Sequence, residues 1–144
     1  MKKNLILVTL SVILGIAFTF FVLNKENTYA MEEYLVYAFQ VGAFEKEDYA
    51  IEYSKTLPSS IIKKEEGLYK VYTAIYKDID IINKMVVYFE DNNINIYLKS
   101  ISINKEFNTL LTNYEEIIKK SENNIYDKVN QSILNSYLES IENV

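Results

Sequence analysis

The sequence contains no cysteine, no histidine and no arginine. Without cysteine and histidine, it has no disulfide bond, thiolate nucleophile, imidazole base or Cys/His zinc site. Without arginine, and with a net charge of −5, it offers no basic surface to replace the counterions of a phosphate backbone. Nucleic acid is therefore not expected as a partner. Neither a metal nor a cofactor is expected, and chemistry is left to carboxylates, lysines and hydroxyl groups.

Part of the 49% hydrophobic content is one uncharged run, Leu5 to Leu23. As a helix of about 19 residues it would span about 30 Å, the thickness of a bilayer hydrocarbon core. Lys2 and Lys3 precede it, which predicts a cytoplasmic N-terminus and an exported remainder. We therefore expect residues 1–24 to be a single-pass anchor in the cell membrane and residues 25–33 to be a linker. A long signal peptide, cleaved near Ala30, is the alternative.

Residues 34–103 predict the order β-α-β-β-α-β. The strands are predicted from alternating apolar residues and the helices from apolar residues at helical spacing. Two boundaries are marked by the Glu66-Gly67 turn and by an N-cap at Asp78. The predicted strands are Tyr34–Phe44, Ser59–Glu65, Leu68–Tyr76 and Ile94–Ile101. The fold class is α+β, an RNP or ferredoxin-like sheet with both helices on one face and the first and third strands central. Four residues are expected in the interior, namely Phe39, Val41, Val71 and Phe89.

The second face of this sheet is expected to be open. Alternation places an amide, an ammonium group and two phenol rings on it, from Gln40, Lys70, Tyr72 and Tyr97. An ordinary solvated sheet face would carry the same residues. An open sheet with aromatic and hydrogen-bonding groups at its centre is also a common binding surface for an extended polymer.

Two motifs in this region resemble the SPOR (sporulation-related repeat) domain. They are Gln40-Val41-Gly42-Ala43-Phe44 and Gly67-Leu68-Tyr69-Lys70-Val71, and Lys77-Asp78 then leads into the second helix. The resemblance covers about residues 33–103. Ala43 stands where the family often has serine and Lys70 where it more often has arginine, and Ala74-Ile75 replaces a glycine followed by a small residue.

The resemblance implies a β-α-β-β-α-β fold that binds bacterial peptidoglycan, with a preference for glycan strands stripped of stem peptides. It also implies glycan contacts from the open sheet face, and Gln40 is the residue that best matches the family motif. Many members are exported behind a single N-terminal span. Cell division, sporulation and envelope maintenance are the processes that the resemblance leaves open.

Residues 104–144 exceed the SPOR-like region and predict a C-terminal helical extension. One apolar stripe contains Phe107, Leu111 and Ile118, and a second contains Ile133 and Tyr137. The polar residues 121–124 predict a break between two helices, and one continuous helix is the alternative. The stripes are expected to pack on each other, on the sheet or on a protein partner.

The expected function is a membrane-anchored, extracytoplasmic protein that binds peptidoglycan glycan strands. The alternative is an envelope protein-interaction adaptor in which the extension carries the function. Catalysis is not expected, because the adjacent acids Glu65/Glu66 and Glu115/Glu116 should point apart in a turn or a helix.

The topology is testable in whole cells. We expect a fluorescent protein fused to the C-terminus to localise to the envelope, because the Leu5 to Leu23 run should span the membrane with Lys2 and Lys3 inside. External protease should then cut residues 34–144 in intact protoplasts. Protection in intact protoplasts, followed by cleavage after lysis, would reverse the predicted orientation.

Overall fold

The structure, a computed structural model, describes residues 32–142. The predicted anchor and nearly all of the predicted linker lie outside the described residues. Within residues 32–142, no helix combines the length and the apolar character that crossing a bilayer requires.

The described residues form four strands and four α-helices. In chain order these are β1 (Tyr34–Phe44), α1 (Glu47–Ser54), β2 (Ile61–Glu65), β3 (Leu68–Tyr76), α2 (Ile79–Asp91), β4 (Tyr97–Ile103), α3 (Lys105–Lys119) and α4 (Tyr126–Glu142), with a 3₁₀ turn at Asn123–Ile125 before α4. The sheet order is β2-β3-β1-β4, and every neighbouring pair is antiparallel. The predicted α+β class, the element order and the central positions of β1 and β3 are confirmed.

Short local signals set several boundaries. The Asp78 carboxylate accepts hydrogen bonds from the amides of Asp80 and Ile81 and so caps α2. Asn93 has φ +60°, and the Ile94 amide donates to the carbonyl of Phe89, which closes the C-terminus of α2 in a Schellman motif.

The hairpin between β2 and β3 turns at two residues, Glu66 and Gly67, which have φ +53° and +80°. This is the geometry of a type I′ turn.

Two irregularities in β1 and β3 compensate each other. Gln40 lies opposite Tyr72, but Phe39 lies opposite Ala74 and Gly42 lies opposite Val71. Thr73 is thus an extra residue on β3, and Val41 is an extra residue on β1. The Ser59 hydroxyl donates to the Thr73 carbonyl, and the Thr73 hydroxyl donates to the Ser59 carbonyl. These two bonds satisfy polar groups where the regular ladder is interrupted.

The two extra residues explain two outcomes on β1. Val41 was expected in the interior, but it is only half-buried because it has no directly opposite partner on β3. Gly42 faces α1, where an added Cβ would lie 2.7 Å from the Phe44 ring and 3.3 Å from the Tyr53 ring. The Phe44 ring therefore packs over Gly42 and against Tyr53, at a centroid distance of 5.5 Å.

The central strand β3 is covered on both faces. Every residue from Lys70 to Tyr76 is buried, so both alternating sets of side chains are shielded. Helix α4 packs on β3, and the predicted open face is therefore wrong along this strand. Apolar residues of α3 and α4 belong to the same hydrophobic cluster as those of the sheet; from the helices these include Phe107, Leu111, Ile118, Ile133 and Leu134.

The C-terminal extension forms two helices with a break, as predicted, and its polar groups attach it to the sheet. Buried Glu115 of α3 accepts the backbone amides of Lys77 and Asp78, at 2.7 and 2.9 Å. Tyr76 donates its hydroxyl hydrogen to Asn130 of α4. The extension therefore belongs to the folded unit that contains the sheet.

In the first half of β1, the buried and exposed faces are exchanged relative to the prediction. Phe39 is buried as predicted and packs against Tyr76 and Phe89, at centroid distances of 6.1 and 5.9 Å. Leu35 and Tyr37, which alternation assigns to the same face as Phe39, are exposed. Val36 and Ala38 on the other face are buried instead, because the extension covers a face that was predicted to be open.

The fourth strand begins later than predicted. It runs from Tyr97 to Ile103 rather than from Ile94 to Ile101. Ile94 and Ile96 pack against the core from the segment before the strand, so their alternation reflects burial without strand pairing.

Replacement of Phe39 by alanine tests the position of the core. The side chain is fully buried against two aromatic rings, so we expect Phe39→Ala to lower the free energy of unfolding by about 3–5 kcal/mol. Leu35→Ala on the same strand is the control and should change it by less than about 0.5 kcal/mol, since Leu35 is exposed. Urea unfolding followed by circular dichroism measures both. Similar losses for the two variants would contradict this assignment of faces.

Candidate functional site

The strand register brings three of the four predicted site residues into one row. Gln40 on β1 lies directly opposite Tyr72 on β3 and directly opposite Tyr97 on β4. Side chains of directly opposite residues share a face, with Cβ atoms about 4.5–5.5 Å apart. We call Tyr72, Gln40 and Tyr97 the cross-strand row. The fourth predicted residue, Lys70, lies outside the row, opposite Ala43 and Lys63.

The four residues differ in accessibility. Tyr97 is 67% exposed and Gln40 is half-buried, whereas Tyr72 is 2% and Lys70 is 7% exposed. The expectation that all four side chains face solvent is therefore wrong for Tyr72 and Lys70. Their polar ends are held by neighbouring side chains, so a ligand on this surface would meet Gln40 and Tyr97 first.

A charged cluster lies beside the row and is centred on Glu65, the last residue of β2. The Glu65 carboxylate receives the Lys99 ammonium at 2.6 Å, the Tyr72 hydroxyl at 2.9 Å and the Lys63 ammonium at 3.1 Å. Lys70 lies 3.5 Å from the same carboxylate and 2.7 Å from that of Glu66. We call Lys63, Glu65, Glu66, Lys70 and Lys99 the Glu65 cluster.

The Glu65 cluster joins three parts of the fold. Lys99 reaches it from β4, the pair Lys63 and Glu65 belongs to β2, and Tyr72 and Lys70 belong to β3. Lys63 also donates to the hydroxyl of Tyr137 on α4, at 3.1 Å. The cluster therefore fixes the position of Lys99 next to Gln40 and Tyr97.

The electrostatics of the cluster follow from these contacts. Burial would raise the pKa of the Glu65 carboxyl, but the hydrogen bonds it accepts, above all from Lys99, hold the pKa at about 2 against an ordinary 4.5. The hydrogen bond to Glu65 raises the pKa of the Lys99 ammonium. Burial, followed by the bond to Glu65, raises the pKa of the Tyr72 phenol.

These pKa shifts keep Glu65 ionised, Tyr72 neutral and Lys99 protonated near neutral pH. Three ammonium groups face two carboxylates, so the cluster carries a local charge of +1 in a chain with a net charge of −5. Such a surface suits binding through hydrogen bonds, ring contacts and a positive charge.

The carboxylate pairs considered from the sequence are occupied by other interactions. Glu65 is held by lysines, and the neighbouring Glu66 is exposed at the hairpin turn. The Glu115 carboxylate is buried and accepts hydrogen bonds from two backbone amides, whereas Glu116 is exposed. Among residues 32–142, no three acidic side chains are grouped so that they could hold a metal ion.

Sequence reasoning missed Glu65, Lys63 and Lys99 as neighbours of the row. One signal was available: once Lys63 is placed opposite Lys70 in the hairpin, two like charges face each other and require a carboxylate nearby. Lys99 can extend from β4 towards β2 because the residue opposite it on β1, Ala38, has a small side chain. Strand alternation alone does not reveal this contact.

Comparisons of the chain with protein-family models, with curated proteins and with solved structures find no match. The SPOR resemblance therefore stays a prediction carried by residues 40–44 and 67–71.

Replacement of Glu65 tests the cluster. Because its pKa is lower in the folded than in the unfolded chain, ionised Glu65 stabilises the fold above pH 4.5, and this contribution is lost as the pH falls towards 2. We expect Glu65→Gln to cost about 1–2 kcal/mol at pH 7, since solvent screens part of the interaction. The difference from the parent should shrink between pH 4.5 and pH 2 in urea unfolding.

The matched control is Glu66→Gln, at the adjacent but exposed position. It should leave stability at pH 7 nearly unchanged. A Glu65→Gln variant as stable as the parent at pH 7 would show that the cluster does not stabilise the fold. Equal losses in the two variants would show that the stabilisation is not centred on Glu65.

Proposed function

We propose that the chain is a membrane-anchored, extracytoplasmic protein that binds the glycan strands of peptidoglycan, in cell division, sporulation or envelope maintenance. One observation carries the proposal: the register aligns Gln40 with a tyrosine on each side, and two members of this row, Gln40 and Tyr97, are accessible to solvent. The run Leu5 to Leu23 would be the single span, with its N-terminus in the cytoplasm.

The topology supports the SPOR resemblance behind this proposal. The element order and the strand order β2-β3-β1-β4 are those of a ferredoxin-like sheet. Phe39 packs on α2 through Phe89, and Gly42 faces α1 through Tyr53. Since the register returns Phe39 and Gly42 to one face, these contacts favour an arrangement with α1 and α2 on the same side.

The accessible residues fit the chemistry of a glycan strand. Such a polymer offers hydroxyl groups, N-acetyl groups and apolar sugar faces. The exposed Tyr97 ring supplies a surface for a sugar face, and the Gln40 amide supplies both a donor and an acceptor. In this proposal Tyr72 is a positioning residue, because its ring is buried and its hydroxyl is bonded to Glu65.

The positive charge beside the row favours stripped glycans. Hydrolysis of the amide between the lactyl group of muramic acid and a stem peptide leaves a carboxylate on the sugar. The ammonium group of Lys99, which is partly exposed, lies on the strand that carries Tyr97 and contacts the hydroxyl of Tyr72 at 3.3 Å. It is therefore the group that would receive such a carboxylate.

The adaptor alternative has less support. The apolar stripes of α3 and α4 are largely used within the fold, since Phe107, Leu111, Ile133 and Tyr137 are buried. Leu110, Ile117 and Ile141 are the large apolar side chains of these helices that stay exposed in the described residues.

Sacculus binding tests the proposal. We expect the detergent-solubilised full chain to sediment with purified peptidoglycan sacculi, and more strongly after amidase treatment. Gln40→Ala and Tyr97→Ala should each weaken binding several-fold to about tenfold, because each lost hydrogen bond or ring contact is worth about 0.5–1.5 kcal/mol. Their melting temperatures should be close to that of the parent, since neither side chain is buried in the core.

Tyr49→Ala is the matched control, because Tyr49 is an exposed tyrosine on α1. It should bind like the parent. If Gln40→Ala and Tyr97→Ala also bind like the parent, the row is not the site. Loss of binding on Leu110→Ser with Ile117→Ser instead would favour the helical extension. Time-dependent release of soluble glycan would indicate an enzyme.

A further inference from the structure

An exposed apolar patch lies on the face of β1 and β4 opposite the cross-strand row. Leu35 is 74%, Tyr37 44% and Leu98 39% exposed. Leu35 and Tyr37 are two residues apart on β1 and so share a face. Leu98 lies opposite Phe39 on β4, which makes it a diagonal neighbour of Tyr37. We call these three residues the strand patch.

The strand patch and the row are on opposite sides of the same two strands. Gln40 and Tyr97 are each one residue away from Phe39 and Leu98, so their side chains point to the other face. Phe39, on the patch side, is covered by α2 through Phe89. The patch therefore begins where the cover provided by α2 ends, and a surface that contacts it would leave the row accessible.

The composition of the patch suits a bilayer interface. Leucine and tyrosine side chains partition favourably into the headgroup region, where a phenol can keep its hydroxyl hydrated. Ser100 and Ser102 complete this face of β4, and neither is charged. The two acids that directly precede β1 are both engaged: Glu32 is paired with Lys105 and Tyr34, and Glu33 accepts a hydrogen bond from Ser102.

The size of the patch favours a bilayer over a second copy of the chain. A stable protein interface buries about 800 Å² on each partner, far more than three partly exposed side chains supply. A weak apolar contact is enough for a domain that is already tethered to the membrane, because tethering keeps its local concentration high.

The position of the patch in the chain supports the same occupant. Leu35 follows Leu23, the last residue of the uncharged run, by twelve residues. An extended chain of that length reaches at most about 40 Å. The patch is thus formed by the first residues of the fold that follow the proposed anchor, together with their neighbour on β4.

We propose that the strand patch of Leu35, Tyr37 and Leu98 rests on the outer leaflet of the membrane that anchors the chain, and that this contact directs Gln40 and Tyr97 away from the bilayer towards the wall. The inference rests on the anchoring part of the proposed function. It adds a lipid-binding surface and a defined orientation of the glycan-binding face.

Single tryptophans provide the test, because the chain contains none. The full chain would be reconstituted into phosphatidylcholine vesicles with or without brominated acyl chains. Tyr37→Trp reports on the patch, and Tyr97→Trp is the matched control on the opposite face. We expect bromine to quench Tyr37→Trp at least about twofold more than Tyr97→Trp, and the difference to persist in high salt, because the contact is apolar.

Leu98→Trp is a second patch variant and should be quenched like Tyr37→Trp, which guards against a folding defect in either one. Equal quenching at positions 37 and 97, or none at either, would overturn the docking. A blue-shifted emission of Tyr37→Trp that depends on protein concentration in detergent would assign the patch to a second copy and also overturn it.

Alkaline carbonate extraction separates failure of the docking from failure of the anchor. A chain that stays with the vesicles but shows no preferential quenching at position 37 is anchored without docking. A chain that is extracted has no anchor, and the docking proposal falls with it. Sacculus binding is scored separately with the Tyr37→Trp preparation, in which the cross-strand row is unaltered, so it reports on the proposed function independently of both results.

Discussion

The fold depends on covering the central strand β3 from both sides. A strand whose residues from Lys70 to Tyr76 are all buried needs a layer of helices on each face of the sheet. Helices α1 and α2 are too few for that task, and α3 and α4 complete it. Glu115, which accepts two backbone amides, and Asn130, which accepts the Tyr76 hydroxyl, attach the added helices to the end of β3. The C-terminal helices are therefore part of the core.

This cover also decides where a ligand can bind. The side of the sheet reached by α4 is closed over β3, and its accessible part includes Gln40, Tyr97 and the edge of the Glu65 cluster. Lys63 links that cluster to Tyr137 of α4. Packing of the extension and placement of the Lys99 ammonium are thus coupled through one carboxylate. The candidate site is narrow, and a rigid salt-bridged network stands beside it.

Local signals in the sequence were sufficient for the element order but not for the assignment of faces. The Asp78 cap, the Glu66-Gly67 turn and the apolar spacing of α2 act over a few residues, and they predicted their elements correctly. Alternation in β1 separates two sets of side chains, yet which set is covered depends on helices some seventy residues later in the chain. Tyr72 and Lys70 are buried for the same reason. The placement of Gln40 and Tyr97 side by side on one face, in contrast, follows from the strand register alone.

The extra residues on β1 and β3 are positions at which a central strand can lose a residue without losing its register. Gly42 to Phe44 pair with β3 as if Val41 were absent, so loss of Val41 would leave these residues opposite the same partners and on the same faces. Loss of Thr73 would also leave the remaining pairs in register, but it would remove both hydrogen bonds to Ser59. A single-residue deletion is therefore expected to be tolerated better at position 41 than at position 73, so β1 can shorten more readily than β3.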